Sequence, residues 1–334
     1  MNCVLVAGAT GFIGQRLVNR LRGVATCIKV LSRRKPGSDF NFGGSGPKVI
    51  PIVADLSHHH SISNICDGVD TVFHLAGYAH VEDADSKLAA VVHQAVTVTG
   101  TRTLLQEACR AGVKRLVFVS SAKAIGEGSE ECADETAPAS PVTEYGRAKL
   151  EAEQLVLELG RDCGMHVCVL RLPLVYGPGV KGNLLHMIRA IDGGRFPPVP
   201  DVHNKRSMVH VDDVVRALCI VVERPKACGE VYLVTDGRAY SIYDICSQIR
   251  RALGRAEPNW NVPIGVLRAA ARIGDVIGGV QGRPFFFNSV TLDKLVGSAW
   301  YSAEKIERDL GFRPTHTFET ALPEIVEEYR RRAR

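Results

Sequence analysis

Three glycines near the start of the chain constrain its fold more than any other feature. Gly8, Gly11 and Gly14 form a G-x-x-G-x-x-G pattern between the apolar run Cys3–Ala7 and an amphipathic pattern that begins at Phe12. The first glycine permits a tight turn, the second lets the backbone approach a pyrophosphate, and the third lets a helix pack on the strand. Because this glycine pattern lies between a predicted strand and a predicted helix, it predicts a dinucleotide-binding turn.

The backbone of this turn is predicted to hold the phosphates of the dinucleotide. Free N–H groups and the helix dipole meet at the start of the helix, and both favour an anion there. Besides the glycines, the expected contacts are at Thr10, Phe12 and Ile13. A plain glycine-rich turn is the alternative.

The end of the second predicted strand indicates which dinucleotide is bound. Enzymes that use NAD usually have an acidic residue there, which bonds the ribose 2′-hydroxyl. This chain has Ser32, Arg33 and Arg34 instead, and an arginine can pair with a 2′-phosphate. We therefore expect NADP(H) to be favoured. The alternative is NAD(H), with Arg33 and Arg34 as solvated loop charges.

Strand-like and helix-like segments alternate through the first half of the chain. Near-continuous apolar runs predict parallel strands covered on both faces, at Asn2–Ala7, Thr26–Ser32, Val49–Ala54, Thr71–Leu75, Leu116–Ser120 and Val167–Arg171. Helical patterns lie between them, at Phe12–Arg22, Ile62–Cys66, Ala84–Ala111 and Tyr145–Cys163. A surface loop is expected at Pro36–Pro47. This alternation predicts an α/β fold of the Rossmann type, with a doubly wound parallel sheet.

The pattern changes after Arg171, where proline and glycine become frequent and the helical segments shorten. We expect residues 1–171 to form an NAD(P)-binding domain. Residues 172–334 are expected to form a smaller C-terminal substrate lobe over the carboxyl ends of the strands, where open α/β sheets bind ligands. Segments near Ser207–Val211 and Glu230–Val234 are predicted to return to the large sheet.

Two further strand ends are predicted to line the dinucleotide. Asp55 and Leu56 follow the third strand. An aspartate there commonly receives the adenine amino group, although it could equally cap the next helix. Leu75, Ala76 and Gly77 follow the fourth strand, and the small residues there let the backbone pass close to the cofactor.

A serine, a tyrosine and a lysine carry the predicted chemistry. Ser121 follows the fifth strand, while Tyr145 and Lys149 open a later helix and, being four residues apart, share one face. A phenol with a pKa near ~10 is a poor base at neutral pH. A neighbouring ammonium group favours the phenolate and can also hold the nicotinamide ribose. Ser121 would hydrogen-bond the reacting oxygen.

The order of these motifs resembles that of the NAD(P)-dependent epimerase/dehydratase family, the extended short-chain dehydrogenases. The resemblance spans the chain through Gly8–Gly14, Asp55-Leu56, His74–Gly77, Ser120-Ser121, Tyr145–Lys149 and Leu170–Gly179. It implies backbone contacts of Pro173 and Val175 with the nicotinamide. It also implies that Asn183 and Arg206 meet the diphosphate of a nucleotide-sugar, with a looser match at Arg283.

The chain departs from the pattern of the family in three respects. Ala122 and Lys123 occupy the places of the Asp-Glu pair that moves protons in the 4,6-dehydratases, so dehydration is not expected. Thr97 replaces the usual asparagine of the middle helix, which puts the family's water relay in doubt. An arginine at position 33 resembles the pattern of NADPH-using carbonyl reductases, and not that of the 4-epimerases, which hold NAD tightly.

The second half of the chain resembles the bacterial surface-polysaccharide branch of the family, whose 4-keto-sugar reductases form UDP-N-acetylquinovosamine. This likeness implies NAD(P)H-dependent reduction of the C4 ketone of a UDP-2-acetamido-2,6-dideoxy-4-hexulose. A UDP-hexose or UDP-N-acetylhexosamine 4-epimerase with bound NAD is the alternative. A non-catalytic NADP-sensing protein is more distant, because it has no reason to keep Ser121, Tyr145 and Lys149 together.

Composition limits which partners the chain is expected to bind and in which cellular compartment it is expected to occur. The 334 residues carry a dispersed net charge of +5, which does not predict a nucleic-acid partner. No signal sequence is expected, and no apolar run approaches the roughly 20 residues of a transmembrane segment. The ten cysteines form no C-x-x-C pair, so no metal site is expected. Most of them lie inside apolar runs, which predicts small buried side chains in a reducing cytoplasm. A homodimer is left open.

One apolar stretch is long enough to need its own interpretation. Val262–Val280 is interrupted by Arg268, Arg272 and Asp275. This pattern is typical of an amphipathic helix, and we expect the helix to pack on the protein and not to lie on a bilayer.

Overall fold

A parallel sheet of seven strands forms the centre of the computed structural model, which describes residues 1–34, 46–78, 86–283, 285 and 287–333. In spatial order its strands are β3 (Lys48–Val53), β2 (Cys27–Ser32), β1 (Cys3–Ala7), β4 (Thr71–His74), β5 (Arg115–Ser121), β6 (His166–Leu172) and β9 (Glu230–Leu233). Every neighbouring pair is parallel. The order reverses beside β1, which confirms the predicted Rossmann-type, doubly wound fold.

Helices cover both faces of this sheet. One face packs against α1 (Phe12–Leu21) and α6 (Val211–Glu223), and the other against α3 (Gly100–Arg110) and α4 (Glu144–Asp162). The remaining helices are α2 (Ser86–His93), α5 (Asn183–Asp192), α7 (Ile242–Leu253), α8 (Ile264–Gln281), α9 (Ser289–Val296), α10 (Glu304–Leu310) and α11 (Phe318–Ala333). None of the helices in the described ranges is long and apolar enough to cross a membrane.

A small second sheet departs from the prediction. It consists of β7 (Leu174–Tyr176), β8 (Arg206–His210) and β10 (Ala239–Tyr240), in the order β10-β8-β7. The segment near 207–211 therefore does not return to the large sheet, whereas the segment near 230–234 does, as β9. Pro173, which has no N–H to donate, interrupts the chain between β6 and β7, and β8 pairs with β7 beyond this break.

The C-terminal half builds its own apolar core. Most of its buried members come from α5, α7 and α11, among them Leu184, Ile188, Ile245, Ile249, Phe318 and Leu322. Two other clusters lie on the two faces of the large sheet. The C-terminal half thus has an apolar core of its own, besides the two clusters of the large sheet.

Two predicted helices differ from the observed ones. The segment predicted as a helix at Ile62–Cys66 forms only a short 3-10 turn at His59–Ile62, because Asn64 adopts a left-handed backbone with φ of 62°. The helix predicted at Ala84–Ala111 is not one regular helix, because a π-helical segment at 94–99 joins α2 to α3, and its first two residues lie outside the described residues. Residues 36–45 of the predicted surface loop lie outside the described residues.

The prediction for the cysteines is wrong at four positions. Cys109 and Cys163 form a disulfide, with Cα atoms 5.8 Å apart. Cys132 and Cys228 are exposed. The disulfide forms because α3 and α4 pack side by side and both cysteines lie at the C-terminal ends of these helices.

Candidate active site

The glycine turn is packed so closely that side chains are excluded from it. Gly8 has φ of +89°, and a β-carbon on Gly14 would lie 2.2 Å from the carbonyl oxygen of Gly8. The first turn of α1, which starts after Gly11, has no side-chain cap and no acidic residue. Its free N–H groups, next to Thr10, Phe12 and Ile13, fit the diphosphate of a dinucleotide.

The segment after β4 connects this turn to the predicted catalytic lysine. A β-carbon on Gly8 would lie 2.7 Å from the amide nitrogen of Ala76. A β-carbon on Gly77 would lie 3.1 Å from Nζ of Lys149. Leu75, Ala76 and Gly77 therefore run from the phosphate turn to Lys149, along the path expected for the cofactor.

Lys149 is buried and held in one position. Its Nζ donates a hydrogen bond to the carbonyl oxygen of Val119 at 2.9 Å and lies 4.7 Å from the centre of the Phe118 ring. Burial lowers its pKa to about 8, although the negative charge of Glu153 acts in the opposite direction. The amine therefore still carries its proton at neutral pH.

The start of α4 brings Tyr145 to the carboxyl end of β5. Thr143 caps this helix by accepting a hydrogen bond from the N–H of Gly146 at 3.2 Å. A β-carbon on Gly146 would lie 2.5 Å from the carbonyl oxygen of Lys123, so the first turn packs on the segment that follows Ser121. Ser121, Tyr145 and Lys149 consequently share one edge of the large sheet.

Behind these residues lies a buried ion pair, Glu153 with Arg171, that the sequence analysis did not predict. The carboxylate of Glu153 accepts hydrogen bonds from Nε and Nη2 of Arg171, at 3.1 and 2.7 Å, and another from the hydroxyl of Ser120. Glu153 and Arg171 are only 2% and 7% exposed. The available sequence signal was the spacing, because Glu153 follows Tyr145 and Lys149 at steps of four on the same helical face.

The residues predicted for the adenine end are placed at the end of β2 and just after β3. Ser32 and Leu56 are buried, whereas Arg33 is exposed. Asp55 accepts hydrogen bonds from the N–H and the hydroxyl of Ser57, at 2.9 and 2.7 Å. Burial opposes the charged form of Asp55, but the Ser57 bonds and the nearby charges of His58 and Arg33 prevail and lower its pKa. A cation and a carboxylate therefore meet at this end.

Pro173 and Val175 lie beside the predicted catalytic edge. Leu172, the last residue of β6, pairs with Ser121 in the large sheet. The chain then turns through Pro173 into β7, and both Pro173 and Val175 are partly exposed. Pro173 therefore directly follows the residue that pairs with Ser121, and Val175 lies two residues further on, in β7.

The residues predicted for the substrate are not all brought together. Asn183 is the first residue of α5, and Arg206 opens β8. The guanidinium group of Arg206 donates to the carbonyl oxygens of Lys294 and Gly297, at 2.7 and 3.1 Å. Arg283 follows α8 and lines a cavity of about 360 Å³, formed by α8 and the start of α9, whose described lining includes neither Asn183 nor Arg206.

A cluster at the start of α6 resembles a metal site in composition. His210, Asp213 and His316 place one ligand atom each within 4.8 Å of the others. The carboxylate of Asp213 already accepts hydrogen bonds from Arg216, Thr315 and His316. Nδ1 of His210 accepts the N–H of Asp212 at 3.3 Å. These bonds join α6 to the loop before α11, whereas Nε2 of His210 is buried and has no hydrogen-bond partner among the described residues.

The fold and this edge of the sheet define a dinucleotide-dependent oxidoreductase of the extended short-chain dehydrogenase class. The profile of the NAD dependent epimerase/dehydratase family matches residues 4–235. The chain belongs to this family.

Relatives of the chain align with it along almost its whole length. A UDP-glucose 4-epimerase from Vibrio cholerae is 28% identical over 334 residues, covering 98% of this chain and 95% of the relative. A dTDP-glucose 4,6-dehydratase from Streptomyces niveus is 30% identical over 346 residues, covering 98% and 92%. The solved structure of MoeE5 with UDP-glucuronic acid and NAD is 26% identical, with a TM-score of 0.75, and covers 98% and 99%.

Proposed function

We propose that this enzyme reduces the C4 ketone of a UDP-2-acetamido-2,6-dideoxy-4-hexulose to UDP-N-acetylquinovosamine, with NADPH as the preferred cofactor. Relatives named for UDP- and dTDP-sugars, and a solved neighbour that binds a UDP-sugar with NAD, support a nucleotide-sugar substrate. The reaction consumes one NADPH and one proton for each ketone. The bound nicotinamide supplies the hydride.

The position of Lys149 carries the proton-transfer part of the proposal. Its ammonium group is held between Val119 and the backbone at Gly77, one helical turn from Tyr145. There its positive charge stabilises the phenolate form of Tyr145, so the tyrosine hydroxyl gives its proton to the ketone oxygen as the hydride arrives at C4. Ser121 donates a hydrogen bond to the same oxygen and orients the carbonyl. Solvent then returns a proton to Tyr145.

The residues after Ser121 support simple reduction over dehydration. Ala122 is buried, and the side chain of Lys123 lies 3.7 Å from Glu127. Neither side chain can act as the carboxylic acid or carboxylate that removes water across C5 and C6. Although the chain is similar to a dehydratase, it lacks at these two positions the acidic side chains that dehydration needs.

The exposed Arg33 supports NADPH over NADH. It stands at the end of β2, where an acidic residue would repel a 2′-phosphate, and its exposed guanidinium group, 5.8 Å from the centre of the Tyr78 ring, can pair with one. Cofactor exchange at every turnover is what a reductase requires. An epimerase returns its hydride and gains by retaining NAD.

The experiment is a comparison of two substrates with the same purified protein. UDP-4-keto-6-deoxy-N-acetylhexosamine with NADPH should give one NADPH oxidised per sugar consumed. UDP-glucose and UDP-N-acetylglucosamine, without added cofactor, should remain largely unconverted. The protein should also release less than stoichiometric nucleotide on denaturation.

A 4-epimerase is the second candidate, favoured by the relative from Vibrio cholerae that aligns with 98% of this chain. Both reactions pass through a 4-keto sugar and use Tyr145 and Lys149 in the same roles. Rapid epimerisation by protein that already holds NAD would replace the reductase proposal with this one.

A further inference from the structure

Helix α8 has two apolar sides, and the protein covers only one of them. Its buried seam consists of Leu267, Ala271, Gly274 and Gly278. These residues recur at intervals of three and four, so they lie on one face and pack toward the C-terminal lobe. The sequence predicted an amphipathic helix that packs on the protein and does not lie on a bilayer. The seam accounts for the packing, and the proposal below departs from the second part of that expectation.

The second apolar side is exposed. Four of its aliphatic side chains are more than half exposed: Val266 56%, Ile273 62%, Val276 68% and Val280 84%. Together with Ala269, Ala270 and Ile277 they form one stripe along the helix, which we call the α8 stripe. From 266 to 280 the stripe is roughly 21 Å long.

The helix cannot hide this stripe by rotating. A β-carbon on Gly274 would lie 1.8 Å from the carbonyl oxygen of Phe287, so the backbone of α8 rests directly on the segment before α9. Asp275 also accepts hydrogen bonds from the N–H and the hydroxyl of Ser289, at 3.0 and 2.5 Å. These contacts fix which side of α8 faces outward.

Cations border the stripe. Arg268 and Arg272 are exposed and occupy the sector between the stripe and the buried seam, and Arg283 follows the helix. Within the described ranges, none of these three arginines forms an ion pair. Trp260, which is 64% exposed, precedes the helix by four residues. An apolar face with bordering arginines and an indole ring at one end is the composition of helices that lie in a membrane interface.

We propose that α8 docks on a bilayer containing anionic lipids, with the α8 stripe in the headgroup–acyl boundary and the bordering arginines at lipid phosphates. A second copy of the chain is a poorer occupant, because a stable interface takes about 20–30 residues a side and the stripe offers seven. An acidic partner protein would form ion pairs with the arginines, but its charged surface would not bury a continuous aliphatic stripe. This inference does not depend on the proposed reaction.

Docking at α8 would orient the substrate side of the molecule. Helix α9 packs against α8, and the carbonyl oxygen of Lys294 in α9 accepts a hydrogen bond from Arg206 at 2.7 Å. The lobe that holds the proposed substrate residues would therefore be the lobe in contact with the membrane.

The test uses the full-length protein and sedimentation with vesicles of phosphatidylcholine, with and without phosphatidylglycerol. The protein should sediment with the anionic vesicles, and less so as salt is added. The triple variant Ile273→Gln, Val276→Gln and Val280→Gln should lower the partition coefficient by about two orders of magnitude, since each buried methylene contributes about a factor of four. Glutamine is a good helix former, so α8 should persist.

Two further variants make the test specific. Arg268→Gln with Arg272→Gln should weaken binding to anionic vesicles by about fivefold per arginine. The matched control is Val24→Gln with Val142→Gln, which changes two exposed valines outside α8 and should bind like wild type. All variants should keep the circular dichroism spectrum of the parent.

Three results would overturn the proposal. One is the absence of sedimentation with any vesicle. Another is equal sedimentation of wild type and the triple glutamine variant. The third is a concentration-dependent dimer, seen by analytical ultracentrifugation without lipid and abolished by the triple variant, which would assign the stripe to a second copy.

Discussion

At the scale of single residues, the chemistry depends on how burial and charge act on Lys149. Its amine is enclosed by Val119, Phe118 and the backbone at Gly77, and burial lowers its pKa to about 8. The nearest carboxylate behind it, Glu153, raises that pKa and is itself neutralised by Arg171. The charge next to Tyr145 is therefore set by three buried groups.

Replacement of Tyr145 tests the proton transfer. Tyr145→Phe removes one hydroxyl and leaves the ring, so cofactor binding should be nearly unchanged. Turnover should fall by roughly 10²–10⁴, the usual contribution of general acid–base catalysis. Steady-state kinetics and cofactor titration measure the two quantities separately. A variant within tenfold of wild type would remove Tyr145 from the mechanism.

The pKa of Lys149 predicts a pH dependence. The lysine is protonated below about pH 8 and loses its charge as the pH rises through that value, so kcat/KM should fall on the alkaline side of about 8. Glu153→Gln removes the charge that raises this pKa, and the fall should move to lower pH. Glu153→Asp keeps the charge and should keep the profile near that of wild type.

The same substitution separates a positioning role from a purely structural one. Glu153→Gln leaves Arg171 buried without a counterion and should cost about 3–5 kcal/mol in the free energy of unfolding, measurable by denaturant titration. A loss of activity that is equal at every pH would show that Glu153 acts on stability alone.

Replacement of Arg33 tests the choice of cofactor. Arg33→Asp should weaken NADPH binding by about 1.5–3 kcal/mol, as for a lost hydrogen bond to a charged group, and leave NADH binding intact or improved. Arg34→Asp, at the neighbouring exposed arginine, serves as the control. Equal effects of Arg33→Asp on both cofactors would identify it as a solvated loop charge.

At the scale of elements, the glycine turn and α1 form one packed unit. The β-carbon of an alanine at position 14 would lie 2.2 Å from the carbonyl oxygen of Gly8 and 2.8 Å from Cα of Ala9. Backbone, and not a flexible side chain, would have to move. The N–H groups that are predicted to bind the phosphates are held by this same contact.

Gly14→Ala should therefore destabilise the fold by about 1–3 kcal/mol, as overpacking does, and weaken dinucleotide binding. Gly279→Ala is the matched control, because a β-carbon there meets nothing within 4 Å and lies inside α8. The control should leave binding unchanged and stabilise the helix by up to about 1 kcal/mol. Thermal unfolding with and without NADP measures both. Similar behaviour of the two variants would contradict the packing argument.

At the scale of the whole molecule, one covalent link joins elements distant in sequence. The disulfide between Cys109 and Cys163 spans 54 residues and ties the ends of α3 and α4 on one face of the sheet. Its reduction releases a long loop in the unfolded chain. Stability should drop by about 2–4 kcal/mol, the typical contribution of such a link.

Denaturant unfolding with and without reductant measures this contribution. The double variant Cys109→Ser with Cys163→Ser should unfold at the midpoint of the reduced protein and should not respond to reductant. An oxidised protein that unfolds at the same midpoint as the reduced one would show that the link adds nothing to stability.

The sequence alone predicted the features that depend on local geometry. The glycine turn could be predicted because each of its glycines is required by the backbone geometry of a seven-residue segment. Tyr145 and Lys149 could be predicted because a spacing of four residues places them on one helical face. The alternation of apolar and helical runs predicted the class of sheet for the same reason. The roles of these residues stay predictions until the variants above are measured.

Tertiary structure decided what depends on partners far along the chain. Three such features are the ion pair of Glu153 with Arg171, the disulfide at Cys109 and the pairing of β8 in the second sheet. Each joins segments that are far apart in the chain, and neither segment by itself indicates its partner. The α8 stripe shows the same limit. The sequence predicted an amphipathic helix at Val262–Val280, but only packing decides which side of α8 is covered, because burial depends on the neighbouring elements as much as on the helix.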